Sequence, residues 1–154
     1  MKKTLMAATF ALAGAASADA QEIQVFPSGA SPSVTADPKN FSGQVIIDLP
    51  VPSSVEAPAS LGLVNFAPGA RTAWHTHPVG QTLIVTAGKG WVQRDGQPRQ
   101  DIKPGDVVWI PAGIKHWHGG TDTNAMSHIA VTYVRDGQNV DWMELVTDEQ
   151  YADR

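Results

Sequence analysis

Short apolar runs alternate with Gly- and Pro-rich turns over most of the chain, from about residue 60 to residue 135. Runs of this length, rich in Val, Ile and Thr, favour β-strands, and the Pro-Gly and Asp-Gly pairs between them favour turns. A similar run lies earlier, between Gly43 and Pro50. We therefore predict strands at residues 44–49, 61–66, 82–86, 89–94, 106–110 and 126–134.

The close and regular spacing of these strands, with no long helical pattern between them, predicts an all-β barrel or sandwich. The sequence has no internal repeat, which favours a single barrel. Residues 21–60 are rich in Pro, Ser and Ala, and we interpret them as an extended arm laid over the barrel or over a neighbouring subunit. A mobile N-terminus is the alternative for residues 21–40. Near the end, Thr147 and Gln150 have the spacing of a capping box, which predicts a short C-terminal helix.

The first twenty residues have a different character. Lys2 and Lys3 form a basic start, an apolar run continues to Ala16, and small residues permit cleavage after Ala18 or Ala20. This pattern is typical of a secretory signal peptide, and the run is too short to span a bilayer. We therefore divide the chain into a signal peptide (1–20) and a single domain (21–154), and expect export to the periplasm or beyond. A disordered or weakly helical N-terminus is the alternative.

Composition narrows the possible partners and ligands. The formal net charge is −4 and no long basic run is present, which argues against a nucleic acid or an anionic membrane as partner. The chain has no cysteine, so it contains no disulfide, no thiolate metal site and no cysteine nucleophile. Any metal ion must be held by nitrogen and oxygen ligands.

The histidines are concentrated in one part of the sequence. All five lie between residues 75 and 128, at His75, His77, His116, His118 and His128. Residues two apart on a strand face the same side, so His75 and His77 form one same-face pair and His116 and His118 form another. A lone histidine is more often a core or surface residue. Two such pairs, with Gln81 nearby, predict a site for a divalent transition metal.

Two segments resemble the sequence motifs of the cupin family. The first motif is similar to Gly69, His75, His77, Gln81 and Gly88, with five, one, three and six residues between successive members. The second is similar to Gly105, Pro111, Gly113 and His116, with five, one and two residues between them. The chain departs from the family at Gln81, where Glu is usual, and at Gly120, where Asn is usual. The resemblance covers residues 60–135 and implies a jelly-roll barrel that holds one metal ion through His75, His77, Gln81 and His116.

A narrower resemblance rests on residues 71–77, 80–86, 115–119, 140–144 and 146–151. They are similar to a group of small bacterial cupins that includes manganese-dependent hydroxynitrile lyases, which cleave a cyanohydrin into a carbonyl compound and hydrogen cyanide. This resemblance implies Mn²⁺ as the preferred metal, with Fe, Ni, Co and Zn as competitors. It also implies a homodimer or homotetramer, and the outward apolar face of the last strand favours association as well.

A glutamine ligand changes the expected chemistry. Three imidazoles and an amide oxygen are neutral, so they leave the charge of a divalent ion uncompensated and make it more Lewis acidic. No carboxylate is then available at the ion as a base. His128 shares one strand face with Thr132, and we predict both as catalytic residues, with His128 as the base; the lyases commonly carry Gln at the position of Thr132. His118 is predicted to sit beside the metal or to orient a ligand, and a surface position is the alternative.

Two other functions remain open at this point. Three histidines and one oxygen ligand leave coordination positions free, which also suits a dioxygenase that binds substrate beside O₂. A dioxygenase consumes oxygen with its substrate, whereas a lyase does not. An exported cupin that binds a sugar or a small acid without turnover is the second alternative, since fold alone does not determine function.

Overall fold

Thirteen strands and one short helix form the regular structure of residues 23–52 and 57–153, the parts of the chain that the computed structural model describes. The elements are β1 (Val34–Thr35), β2 (Phe41–Ser42), β3 (Val45–Asp48), β4 (Ala59–Phe66), β5 (Arg71–Thr72), β6 (His75–Thr76), β7 (Gly80–Gly88), β8 (Gly90–Arg94), β9 (Gln100–Ile102), β10 (Val107–Pro111), β11 (His116–Gly120), β12 (Met126–Tyr133), β13 (Asp141–Trp142) and α1 (Asp148–Ala152). The predicted signal peptide, residues 1–20, lies outside the described residues.

The strands form two antiparallel sheets that curl around a common interior. The first has the order β1-β3-β4-β12-β7-β10. The second contains β13-β6-β11-β5-β2, with β8 paired to β11 and β9 paired to β8. The predicted extended arm is observed as short strands, since β1 pairs with β3 and β2 pairs with β5. The all-β class, the jelly-roll architecture and the short C-terminal helix are thus confirmed.

β12 shows how the sequence pattern creates an interior. Its residues alternate between buried and half-buried from Met126 to Tyr133, as expected for a strand with one face inward. At the start of β12, Met126 packs with Phe66 and Val45 in the main apolar core. At its end, Thr132 lines a cavity. The interior is therefore closed by apolar packing at one end and hollow at the other.

The C-terminal helix is attached to the outside of the second sheet. Thr147 caps it as predicted, because its side chain accepts from the backbone N–H of Gln150 while the Gln150 side chain accepts from the backbone N–H of Thr147. Tyr151 packs against Trp117 in a second buried cluster. The Arg71 guanidinium carbon lies 4.5 Å from the centroid of the Tyr151 ring. Among the described residues, no helix has the length and apolarity needed to cross a membrane.

Candidate metal and active site

Strand register brings the predicted ligands together. His75 on β6 lies directly opposite His116 on β11, and Gln81 on β7 lies directly opposite Thr132 on β12. His77 follows two residues after His75 but lies just past the end of β6, so the prediction that this pair shares a strand holds for His75 alone. All of these side chains are buried, and all except His116 line the same cavity together with His118 and His128. The structure therefore places every predicted site residue in one part of the barrel interior.

The histidine rings are close enough to share one ion. The ring centroids of His75 and His116 are 4.1 Å apart, and those of His75 and His77 are 5.0 Å apart. His77 and His116 are separated by 5.4 Å. Because the ring nitrogens lie at the periphery of each ring, rings at these separations can turn one nitrogen each toward a common point.

Backbone carbonyl groups fix which nitrogen faces that point. The Nδ1 atoms of His75, His77 and His116 lie 2.9, 2.6 and 2.8 Å from the carbonyl oxygens of Ala73, Asn139 and Ile114, respectively. A carbonyl oxygen only accepts, so each Nδ1 carries the hydrogen and each Nε2 carries a free lone pair. Metal-bound histidines in proteins are held in the same manner, with the second ring nitrogen donating to a fixed acceptor.

Several buried polar atoms have no hydrogen-bond partner in the described part of the chain. They include Nε2 of His77, Nε2 of His116 and Oε1 of Gln81. The Gln81 amide is held from its other end, because its Nε2 donates to Thr132 Oγ1 at 2.9 Å. Buried polar groups are normally paired, and three unpaired acceptors in one cluster fit a cation. The residues present thus match the nitrogen and oxygen donor set expected for the predicted metal.

His118 lies close enough to His75 and His116 to share a metal ion with them. One ligand atom from each of His75, His116 and His118 lies within 4.8 Å of the others, so these three also form a possible metal-binding group. Nε2 of His118 has no partner, and its Nδ1 lies 3.2 Å from Nε2 of His128. Among the described residues, His75, His116 and His118 are the group whose ligand atoms meet the 4.8 Å distance, whereas His77 approaches His75 and His116 with ring centroids 5.0 and 5.4 Å apart.

Burial keeps the histidines neutral. Desolvation lowers the pKa of His116 and of His128 to about 4 in each case. Desolvation, followed by repulsion from neighbouring histidines, brings the pKa of His75 and His118 well below its usual range. It also lowers the pKa of His77. Neutral imidazoles are the form that binds a metal ion and the form that accepts a proton.

The cavity beside the cluster is small and uncharged. Its volume is about 200 Å³, and among the described residues its lining contains no Asp, Glu, Lys or Arg. Two aromatic residues that the sequence analysis did not assign to the site form part of its wall. The Trp142 ring lies 4.8 Å from the His75 ring and 5.2 Å from the Phe41 ring. Trp142 reaches this position because β13 pairs with β6, a contact that no sequence pattern indicated.

Comparison with known proteins identifies the family of the chain. Residues 62–138 match the cupin domain. The chain belongs to the cupin family. The (R)-mandelonitrile lyase of Granulicella tundricola is 58% identical over 111 residues, which are 72% of this chain and 85% of that protein.

Solved structures show the same fold. A cupin-like protein from Thermotoga maritima is 38% identical, with a TM-score of 0.73 over 76% of this chain and 89% of that one. The polyketide cyclase RemF from Streptomyces resistomycificus has a TM-score of 0.68 over 84% of this chain and 91% of its own, at 14% identity. This second likeness concerns the fold alone. The predicted membership of the cupin family is thus confirmed, whereas the roles of the individual site residues stay predictions.

Proposed function

We propose that this protein is a metal-dependent lyase that cleaves a small, uncharged cyanohydrin into a carbonyl compound and hydrogen cyanide. The observation that carries the proposal is the convergence of unpartnered Nε2 and Oε1 atoms beside a cavity that also contains a neutral histidine, His128. The similarity to a mandelonitrile lyase supports the same chemistry. The cavity is smaller than the roughly 300–1,000 Å³ of drug-sized ligand sites, which suits a small substrate.

In this proposal, His75, His77, Gln81 and His116 hold one divalent ion, with Mn²⁺ preferred. The bound ion supplies Lewis acidity, which stabilises negative charge that develops on the substrate oxygen. The contribution of the chain is to present neutral donors only, because no carboxylate lies in the described cavity lining to compensate the charge. The carbonyl groups that accept from each Nδ1 fix the three rings before substrate arrives.

His128 is the proposed base. The substrate hydroxyl loses its proton to His128, the C–CN bond breaks with its electron pair leaving on cyanide, and the oxygen lone pair completes the C=O bond. The proton held on His128 then passes to cyanide, which gives HCN. Burial brings the pKa of His128 to about 4, so the ring is unprotonated at neutral pH and ready to accept.

The contact between His118 and His128 links the roles of these two residues. His128 Nε2 and His118 Nδ1 are in hydrogen-bond contact, and one of the two neutral rings must donate the hydrogen. If His128 provides this hydrogen, its Nδ1 is free to accept a proton and His118 keeps its own hydrogen on Nε2, where it cannot bind a metal. If His118 provides the hydrogen, its Nε2 can bind a metal, but Nδ1 of His128 is protonated. A basic His128 therefore requires that His77, and not His118, completes the ligand set.

Cyanide and benzaldehyde release from mandelonitrile is the direct test, with protein stripped by a chelator and reloaded with Mn²⁺. We expect the wild type to release both products in equal amounts. His128→Asn should lower kcat by at least about 100-fold while retaining one Mn²⁺ per chain, since general bases contribute about 10²–10⁴-fold. A wild type that binds Mn²⁺ and releases no cyanide would refute the proposed reaction, and oxygen uptake with substrate would identify the dioxygenase alternative.

A further inference from the structure

We infer that Thr132 is a positioning residue that turns the oxygen of the Gln81 amide toward the metal and thereby raises the metal affinity of the site. This inference rests on the ligand set proposed above. Thr132 would then act on the metal indirectly, by holding the side chain of Gln81 in the orientation that binds the ion.

The position of Thr132 follows from the register of the barrel. Thr132 on β12 is the direct cross-strand neighbour of Gln81 on β7, and both side chains point inward. Directly opposed side chains on one face of an antiparallel pair are close enough to interact. Here the contact is a hydrogen bond of 2.9 Å from Gln81 Nε2 to Thr132 Oγ1, with both residues buried. No rearrangement is needed to form it.

The hydrogen bond matters because an amide is asymmetric. One end of the Gln81 side chain is an oxygen acceptor and the other is an NH₂ donor. Only the oxygen can bind a cation, and a rotated amide would direct an N–H group at the neighbouring His77 ring, whose Nε2 has no partner. A hydroxyl that accepts from the NH₂ end favours the productive rotamer over the rotated one. The unpartnered Oε1 is the consequence observed in the structure.

Apart from the hydrogen bond with Gln81, the contacts that adjoin Thr132 use its main chain, so we expect a side-chain substitution to preserve them. The backbone oxygen of Thr132 accepts from Ser60 Oγ at 3.4 Å, and Ser60 Oγ accepts from Asn139 Nδ2 at 3.0 Å. The backbone oxygen of Asn139 in turn accepts from His77 Nδ1. This second chain of contacts uses only the main chain of Thr132. Thr132→Val keeps the shape and the main chain and removes the hydroxyl, which deprives the buried Gln81 NH₂ group of this acceptor.

The test measures the Mn²⁺ dissociation constant of the full-length protein by competition with a chromophoric chelator. Removal of a group that orients a metal ligand typically weakens metal binding by about 10- to 100-fold, and we expect that loss for Thr132→Val. Thr132→Ser keeps the hydroxyl and should restore most of the affinity. Thr121→Val removes another buried hydroxyl, outside the cavity lining, and serves as the control for general destabilisation.

A double-mutant cycle with Gln81→Glu isolates the orienting effect. A carboxylate presents an oxygen in either rotamer, so in that background Thr132→Val should change the dissociation constant by no more than about threefold. An equal loss in both backgrounds, or wild-type affinity in Thr132→Val, would overturn the inference. A wild type that binds no Mn²⁺ at all would instead refute the proposed metal site, so the two failures are distinguishable.

Discussion

Acid should destabilise the metal-free protein strongly between pH 7.5 and pH 5.0, because its buried histidines are neutral in the folded state. The pKa of His116 and of His128 is about 4 in the fold, against an ordinary value of about 6.5 in an unfolded chain. Between these values the unfolded chain binds more protons than the folded one. Stability is therefore fully present above about pH 6.5 and is lost as the pH falls toward 4.

The magnitude follows from the same pKa values. At pH 5.0, a histidine that titrates near 6.5 unfolded and near 4 folded has lost about 2 kcal/mol of the stability present at pH 7.5. His116 and His128 together give about 4 kcal/mol. His75 and His118, whose pKa values are also lowered by burial, change stability in the same direction. A domain has only about 5–15 kcal/mol in total, so the effect is a large part of it.

Urea denaturation with a chelator present, followed by tryptophan fluorescence, measures this loss. Carboxylates of an unfolded chain titrate near pH 4, so histidines dominate in the chosen range. His128→Gln removes one of the titrating groups and should reduce the pH-dependent loss by about 2 kcal/mol. An unfolding free energy that differs by less than about 1 kcal/mol between the two pH values would show that the histidines are not held neutral by burial.

Four further results are expected. Mn²⁺ at 100 times its dissociation constant should raise the unfolding free energy by about 2.7 kcal/mol in a thermal or urea titration, and Gln81→Ala should abolish most of that gain. Trp142→Ala should lower kcat/KM for mandelonitrile by about three- to tenfold but leave that for acetone cyanohydrin unchanged, because the aromatic wall is lost. Trp109, 55% exposed on the outer face of the first sheet, should lie in a subunit contact, so Trp109→Asp should convert the expected homodimer or homotetramer to monomers in light scattering. Intact mass of exported protein should show a chain that begins after Ala18 or Ala20.

The long strands could be predicted because their alternation is visible over many residues. The strand predicted at residues 126–134 is observed as Met126–Tyr133, with the expected inward face. The strand predicted at residues 82–86 is observed as Gly80–Gly88. Its first residue must be glycine, because a Cβ at position 80 would lie 2.7 Å from the carbonyl oxygen of Ile110. Pairs such as Asp141–Trp142 are too short to show a period, and tertiary contact alone makes them strands.

The shared inward face of His116 and His118 could also be predicted, since both lie on β11 two residues apart, whereas His77 lies just past the end of β6 and owes its position to the segment that follows. The atoms that decide their chemistry could not be predicted in this way. Asn139 holds His77 through its carbonyl oxygen, a group that every residue has, so no side-chain pattern marks it. Gln81 and Thr132 are 51 residues apart in sequence, and their contact depends on the register in which β7 pairs with β12. Sequence spacing selects the donor atoms of such a site, whereas main-chain acceptors and strand register determine which end of each donor faces the ion.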